Sequence, residues 1–308
     1  MIWTVRTLII AEPHGFCAGV ARAVETVRSA LKKFPSPVFV KHAIVHNSYV
    51  VGELEKEGAR FVESLEAVPV GATVIFSAHG APPRDFLQAA KKKLNLLDTT
   101  CPLVSKVHIE AKKFAGSGYE IIYVGHAGHP EPVGVIGEAP DKIKLISNRQ
   151  EAQNIQIKNP SKVALLTQTT LSVDDMAKIG NVLKKRFPKI VSPPREDICF
   201  ATQNRQQAVK KLAKKTKLII IVGSPTSSNT ERLKEVAENA GSVAYRIESV
   251  CEINPSWFTG FRQVGLTSGA SVPEVLLAEV VDYFKERGAA VKYLSAVSEK
   301  VFFPPPKI

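Results

Sequence analysis

The sequence is poor in sulfur and in aromatic rings, with four cysteines, two methionines and two tryptophans among 308 residues and aromatics at 7%. Its cysteines are scattered, at positions 17, 101, 199 and 251. The opening MIWTVRTLIIAEPH has neither an apolar core of signal-peptide length nor a small-residue cleavage site. A disulfide framework is therefore not expected, and reduced thiols in the cytoplasm are. Long apolar runs are also missing: KLIIIVG at 217–223 falls far short of the roughly 20 residues that cross a bilayer, so no membrane segment is expected. Acidic residues are in deficit, 29 against 41 Lys and Arg, for a formal net charge of +12. That balance favours an acidic partner such as nucleic acid, a phosphorylated substrate or an acidic protein. The lysines lie in helix-like runs such as AKKKL and VKKLAKK that suit solvated faces, and no nucleic-acid signature accompanies them.

What the chain does have is repetition. Three stretches share the order strand, loop, cysteine, helix: TLIIAEPHGFCAGVARAVETVRSAL, LNLLDTTCPLVSKVHIEAKKF and KIVSPPREDICFATQNRQQAVKKL. Cys17, Cys101 and Cys199 are thereby equivalent. A second beat follows each cysteine at nearly the same distance and carries His46, His129 and Ser228 at corresponding places. A third beat holds minor strands, as in RFVESLEAV, KLISNRQEA and YRIESVCEI. A fourth holds TVIFSAHGAPPRDFL, KVALLTQTTLSVDDM and QVGLTSGASVPEVLL.

Strands alternating with helices predict an α/β fold of mainly parallel sheets, whose ligands bind beyond the carboxyl ends of the strands. We expect three α/β units at residues 1–97, 98–191 and 192–286, with 287–308 as a C-terminal tail. A pseudo-threefold arrangement of those units would turn the polar loops toward one central cavity.

A single buried cysteine is often only a small hydrophobe. Three at equivalent loop-to-helix junctions, where the helix N-terminus favours thiolate, have the character of a soft-metal site. Neither the C-x2-C pairs of zinc ribbons nor the compact runs of ferredoxins occur, so the spacing leaves zinc and iron–sulfur both open. Three thiolates leave one coordination position free. Cys251 is the candidate fourth ligand, but it falls in the third beat, outside the repeated position.

The remaining loop residues divide between binding and chemistry. His46, Asn47, His79, His129, Ser227, Ser228, Asn229 and Ser271 stand where strands hand over to helices and together suit an anion such as diphosphate. For any one of them, helix capping is the competing role. Glu131 is the inner-loop carboxylate suited to holding a proton, with Thr169 placed to orient a substrate hydroxyl or a water. Asp174 and Asp175 suit a helix start, and His42, His108 and His126 suit supporting roles.

The set GFCAGVARAV, VHN, FSAHG, DTTCPLVSKVH, GHAGHPE, TQTTLSVDD, DICFATQNRQ, SSNTERL and SGASVPE, in that order and spanning nearly the whole chain, resembles the 4-hydroxy-3-methylbut-2-enyl diphosphate reductases of the non-mevalonate isoprenoid pathway. The resemblance implies one 4Fe-4S cluster held by Cys17, Cys101 and Cys199, with an open iron for the substrate hydroxyl. It implies reduction of an allylic diphosphate to isopentenyl and dimethylallyl diphosphates, with reduced ferredoxin or flavodoxin as electron donor. In that likeness Glu131 relays protons, Thr169 is its partner at the hydroxyl, and His129 serves both catalysis and binding. His46, His79, Ser227, Ser228, Asn229 and Ser271 match the diphosphate site. His14 and Gln203 depart from the usual Arg and Thr beside two of the cysteines. Two alternatives stay in view: an electron carrier or redox sensor with a closed four-cysteine cluster, which would need Cys251, and a metal-dependent hydrolase.

Overall fold

The computed structural model describes residues 3–307. The chain begins with β1 (Thr7–Glu12), α1 (Ala18–Lys33), β2 (Val38–Lys41), α2 (Ser48–Lys56), β3 (Ala59–Val62), β4 (Thr73–Phe76), α3 (Pro83–Lys91) and β5 (Asn95–Asp98). It continues through α4 (Pro102–Gly116), β6 (Glu120–Val124), α5 (Pro130–Ile136), β7 (Ile143–Ile146), α6 (Arg149–Asn154), β8 (Val163–Thr167) and α7 (Val173–Arg186). The last stretch holds α8 (Phe200–Ala213), β9 (Leu218–Val222), α9 (Ser228–Asn239), β10 (Val243–Ile247), β11 (Gln263–Ser268), α10 (Glu274–Lys285) and β12 (Ala290–Ser295).

The strands form three parallel sheets, ordered β3-β2-β4-β5, β7-β6-β8 and β10-β9-β11-β1-β12. This is the mixed α/β architecture that the repeat predicts. The minor strands of the third beat, β3, β7 and β10, lie at sheet edges.

The strand leading to each cysteine pairs in the sheet of the preceding repeat. β5, before Cys101, pairs with β4; Val191, before Cys199, bridges to Ala164 of β8; and β1, before Cys17, pairs with β11. The first strand thus lies in the sheet of the third repeat rather than with the other strands of residues 1–97. The segment 287–308, expected as a tail, supplies β12, which pairs with β1 over Thr7–Glu12. Hydrogen-bond satisfaction accounts for both differences, since β1, bracketed by β11 and β12, has partners on both sides.

The chain packs as two compact units. One comprises the chain up to Ala18, His46–Val50 and Phe200–Phe302, and so holds the five-stranded sheet; the other comprises Gly19–Val45, Val51–Cys199 and the chain from Phe303, and holds the other two sheets. In the first unit, β9 reads LIIIV and every residue is buried. Strand alternation sends Leu218, Ile220 and Val222 into a core with Leu276, Val280 and Phe284 of α10. Ile219 and Ile221 enter a second core with Leu212 of α8 and Leu233 of α9. Each such side chain contributes about 1.5–3 kcal/mol on burial. Gly265 is required for the close approach of α8, because a Cβ there would stand 2.8 Å from Leu212 Cδ2 and from Thr216 Cγ2.

In the second unit, β6 also divides its side chains. Ile121 and Tyr123 pack with Val107 and Ala111 of α4 and Val135 of α5, while Ile122 and Val124 pack with Ala152 of α6 and with Ile179 and Leu183 of α7. Helix α7 is capped by Ser172, whose hydroxyl accepts from Asp175 N–H, with Asp174 and Asp175 in its first turn and Lys184, Lys185 and Arg186 in its last. That charge order complements the helix dipole and accounts for Asp174 and Asp175 at the helix start.

Candidate functional site

Each of three cysteines immediately precedes a helix: Cys17 before α1, Cys101 before α4 and Cys199 before α8. Their backbone N–H groups are tethered alike. Cys17 donates to Ala270 O at 3.1 Å, Cys101 to Ala78 O at 3.0 Å and Cys199 to Thr169 O at 3.0 Å. Ala270, Ala78 and Thr169 are each the second residue beyond a strand, β11, β4 and β8 respectively. Those are the strands beside which the cysteine-leading strands pair, so the three positions are equivalent in backbone geometry as well as in sequence. All three are partly buried, whereas Cys251 is exposed on a short 3-10 turn at Val250–Glu252. A thiol at a helix N-terminus is a soft donor whose chemistry suits a thiophilic metal.

Within the second unit, Thr169 also carries the carboxylate expected to hold a proton. Its N–H donates to Glu131 Oε1 at 2.7 Å and its hydroxyl to Oε2 at 2.9 Å. Glu131 is only 2% exposed. Burial pushes its carboxyl up to about 7, the two bonds from Thr169 oppose the shift, and the negative charge of Asp197 adds to it. Near neutrality the group therefore exists in both protonation states. Ionised, it accepts both Thr169 bonds; protonated at Oε2, it donates to Thr169 Oγ1 and frees the threonine proton for another acceptor.

His129 is the N-cap of α5, and its Nδ1 accepts from Glu131 N–H at 3.1 Å. An accepting Nδ1 fixes the neutral tautomer with the proton on Nε2, leaving an N–H donor on the far side of the ring. His79 stands edge-on to His129, with ring centroids 5.5 Å apart at 90°, and its Nδ1 is 3.2 Å from Ser77 Oγ. The other histidines of this unit have supporting partners. His42 pairs with Glu63 at 2.7 Å and His108 with Glu138 at 2.6 Å, while the backbone N–H of His126 donates to Gln168 Oε1 at 2.9 Å.

The first unit holds Cys17 with His46, Ser227, Ser228, Asn229 and Ser271. Ser227 caps α9, accepting from Thr230 N–H at 3.3 Å, and Ser228 is the first residue of that helix. The matching cap on α5 is His129, so helix register aligns His129 with Ser227 rather than with Ser228, as the spacing from the cysteines suggested. Asn229 Oδ1 accepts from Ala270 N–H at 3.0 Å, and its Nδ2 donates to Thr202 Oγ1 at 3.5 Å. The Ser271 hydroxyl donates to His46 O at 3.0 Å, so it must rotate to serve an anion.

Three residues of these neighbourhoods escaped the sequence reading. Tyr123 lies in an apolar strand and is fully buried, and burial together with the nearby Glu131 charge pushes its ionisation well upward. Asp197, buried two residues before Cys199, accepts from Thr167 N–H at 2.9 Å and from Lys106 Nζ at 2.9 Å. Arg205, fully buried on α8, donates to Gly15 O at 2.8 Å. Tyr123 alone carried a signal, a hydroxyl within the apolar run IIYV; Asp197 and Arg205 stand among polar neighbours, in PREDIC and TQNRQQ, and carried none.

The LytB protein family model matches residues 8–285. The 4-hydroxy-3-methylbut-2-enyl diphosphate reductase of Azoarcus sp. (strain BH72) is 49% identical over 301 residues, covering 97% of this chain and 96% of its own. The protein of that name from Streptomyces coelicolor is 49% identical over 304 residues, covering 98% and 90%. Among solved structures, the E-1-hydroxy-2-methyl-but-2-enyl-4-diphosphate reductase from Plasmodium falciparum matches with a TM-score of 0.94 at 39% identity, covering 96% of this chain and 94% of its own. The chain is therefore an enzyme of the LytB family, the family of the 4-hydroxy-3-methylbut-2-enyl diphosphate reductases.

Proposed function

We propose that this enzyme reduces 4-hydroxy-3-methylbut-2-enyl diphosphate to isopentenyl and dimethylallyl diphosphates, using one 4Fe-4S cluster held by Cys17, Cys101 and Cys199. The observation that carries the reading is the double role of Thr169, whose carbonyl anchors Cys199 while its N–H and hydroxyl hold Glu131. A proton-bearing carboxyl is thus held by the same residue that anchors Cys199, which suits removal of a hydroxyl as water. The cluster, when bound, supplies electrons and a Lewis-acidic iron.

The chain supplies protons and orientation. The substrate C–O bond breaks, two electrons and two protons enter, and the products are the deoxygenated diphosphate and water. Glu131, near pH 7, gives up a proton through Thr169 Oγ1 to the departing oxygen and is reprotonated for the next turnover. His129 Nε2–H and His79, with Ser227, Ser228, Asn229, His46 and Ser271, bind the diphosphate, where neutral donors and helix N-termini hold charge without competing carboxylates. Reduced ferredoxin or flavodoxin delivers the electrons, and the net charge of +12 suits an acidic donor. Among the described residues no helix is long and apolar enough to cross a membrane. The cytoplasm, where thiols stay reduced, is the proposed location.

Anaerobic purification tests this reading. A brown protein with about four irons per chain, turning over the allylic diphosphate with a reduced donor, is expected. A colourless zinc protein from the same preparation would overturn it.

A further inference from the structure

The loop that carries Cys17 is gripped by a side chain with no assigned role. Arg205 has no exposed surface, yet it is a full charge in the first unit. Its Nη2 donates to Gly15 O at 2.8 Å and to His14 O at 3.5 Å, and its Nη1 donates to Ala201 O at 3.0 Å. The charge is met by Glu299, whose two carboxylate oxygens each lie 3.2 Å from Nη1. Asn204, one residue before Arg205, donates to the same carboxylate at 3.0 Å. Glu299 lies four residues beyond β12, in the segment whose composition predicts a tail. That segment is itself fastened: Ala296 N–H donates to Glu12 O at 2.9 Å, and Lys211 Nζ to Ala296 O at 2.9 Å.

These contacts form one chain of support. The Glu299 carboxylate aims the guanidinium, the guanidinium holds the carbonyls of residues 14 and 15, and those carbonyls lead directly into Cys17. Gly15, at φ +69, turns this loop, and its N–H is fixed by Ser268 Oγ at 2.8 Å while Cys17 N–H is fixed by Ala270. The N–H groups are thus held by the β11 side and the carbonyls by Arg205. Helix α8, which carries Arg205, belongs to the same unit as the Cys17 loop. A planar guanidinium with two forked arms can hold a carboxylate and two carbonyls at once, which a lysine ammonium cannot do with fixed geometry.

We infer that Arg205 and Glu299 are positioning residues for Cys17, and that the C-terminal segment through residue 299 is part of the cysteine site rather than a tail. The inference rests on Cys17 being a cluster ligand only for its effect on iron; the grip on the loop stands without it.

The test uses the full-length chain with Glu299→Ala and Glu299→Gln. In metal-free protein, the rate at which iodoacetamide alkylates each cysteine is read by peptide mass spectrometry. Glu299→Ala should alkylate Cys17 at least fivefold faster than wild type, with Cys101 and Cys199 unchanged, and amide exchange at residues 15–17 should rise in step. Glu299→Gln, which keeps an acceptor for Arg205 and Asn204, should fall between. After anaerobic reconstitution, Glu299→Ala should lose iron to a chelator several-fold faster. An unchanged Cys17 rate would overturn the inference, as would an equal rise at all three cysteines, which marks general loosening of the fold. A wild type that takes up no iron, with Cys17 still selectively exposed by Glu299→Ala, would refute the cluster reading and leave the positioning role supported.

Discussion

Replacing Glu131 by glutamine separates the stability cost of the buried carboxyl from its chemistry. Burial raises the group from an ordinary 4.5 to about 7, so the unfolded chain loses this proton at lower pH than the folded one. Between those values the unfolded state binds fewer protons, and stability falls as pH rises through the window before levelling above pH 7. At 1.36 kcal/mol for each unit, the whole penalty is about 3 kcal/mol. The amide of the Glu131→Gln variant cannot ionise. Its carbonyl oxygen can still accept from Thr169 N–H, and its NH2 can donate to Thr169 Oγ1, so both existing links have replacements. The difference in unfolding free energy between variant and wild type should therefore grow with pH, from about 1 kcal/mol at pH 5 to about 3 kcal/mol in favour of the variant at pH 8. Urea unfolding of the metal-free full-length chain at half-unit pH steps reads this directly, and titrations common to both proteins cancel. The same variant should lose about 100-fold to 10,000-fold in turnover, the usual worth of a positioned general acid. A difference that stays constant from pH 5 to pH 8 would refute the argument, because it would show that the carboxyl ionises alike in both states.

Thr169→Val keeps the N–H bond to Glu131 Oε1 but removes the donor to Oε2; Glu131 should then titrate above 7 by carboxyl-carbon NMR, while Thr169→Ser should stay near wild type. Replacing Cys17, Cys101 or Cys199 singly by Ser should abolish bound iron in anaerobic protein, whereas Cys251→Ser should retain it, as metal analysis would show. His129→Leu removes the cap of α5 and should cost about 0.5–2 kcal/mol in thermal unfolding. His129→Asn restores the cap but not the Nε2 donor, so it should recover stability while KM for the diphosphate stays high. Leu212→Ala opens the core above Gly265 and should cost about 2–5 kcal/mol by urea titration, with no selective effect on Cys17, Cys101 or Cys199.

The sheets were legible because their strands are written as apolar runs of fixed length between polar loops. LIIIV can only be buried on both faces, and its equivalents recur at the same distance from each cysteine. The place of β1 was not legible. Its sequence is as apolar as the others, and nothing local says that its neighbours are residues 263–268 and 290–295 rather than 38–41. Pairing across such separations is decided by which sheet edge would otherwise lack partners. The cysteines, Glu131 and Thr169 stood out because polar groups recurred where ligands gather in parallel sheets. Arg205 and Glu299 did not, since an ion pair separated by 94 residues leaves no periodic trace, and a glutamate among the prolines and lysines of a chain end has the composition of solvent-exposed tail.

The internal repeat also places two different head groups on one tether. Glu131 is the second residue of α5 and Asn229 the second residue of α9. Each reaches the backbone N–H of the residue whose carbonyl holds a cysteine, Glu131 to Thr169 at 2.7 Å and Asn229 to Ala270 at 3.0 Å. The tether is the same and the head group differs. A carboxyl can store a proton, and the residue facing it is a threonine, whose hydroxyl can pass that proton on. An amide stores none, and the residue facing it is an alanine. The neutral head also places no negative charge near an anion, and the Ala270 N–H, which can only donate, fixes Oδ1 as the acceptor and leaves Nδ2 to donate to Thr202 at 3.5 Å. In the repeat with the carboxyl, burial moves its ionisation to the pH where it is useful; in the repeat with the amide, the same burial changes no charge at all. The proposed proton chemistry therefore falls to the middle repeat, and the third keeps the fold's tether while remaining fit to bind the proposed diphosphate.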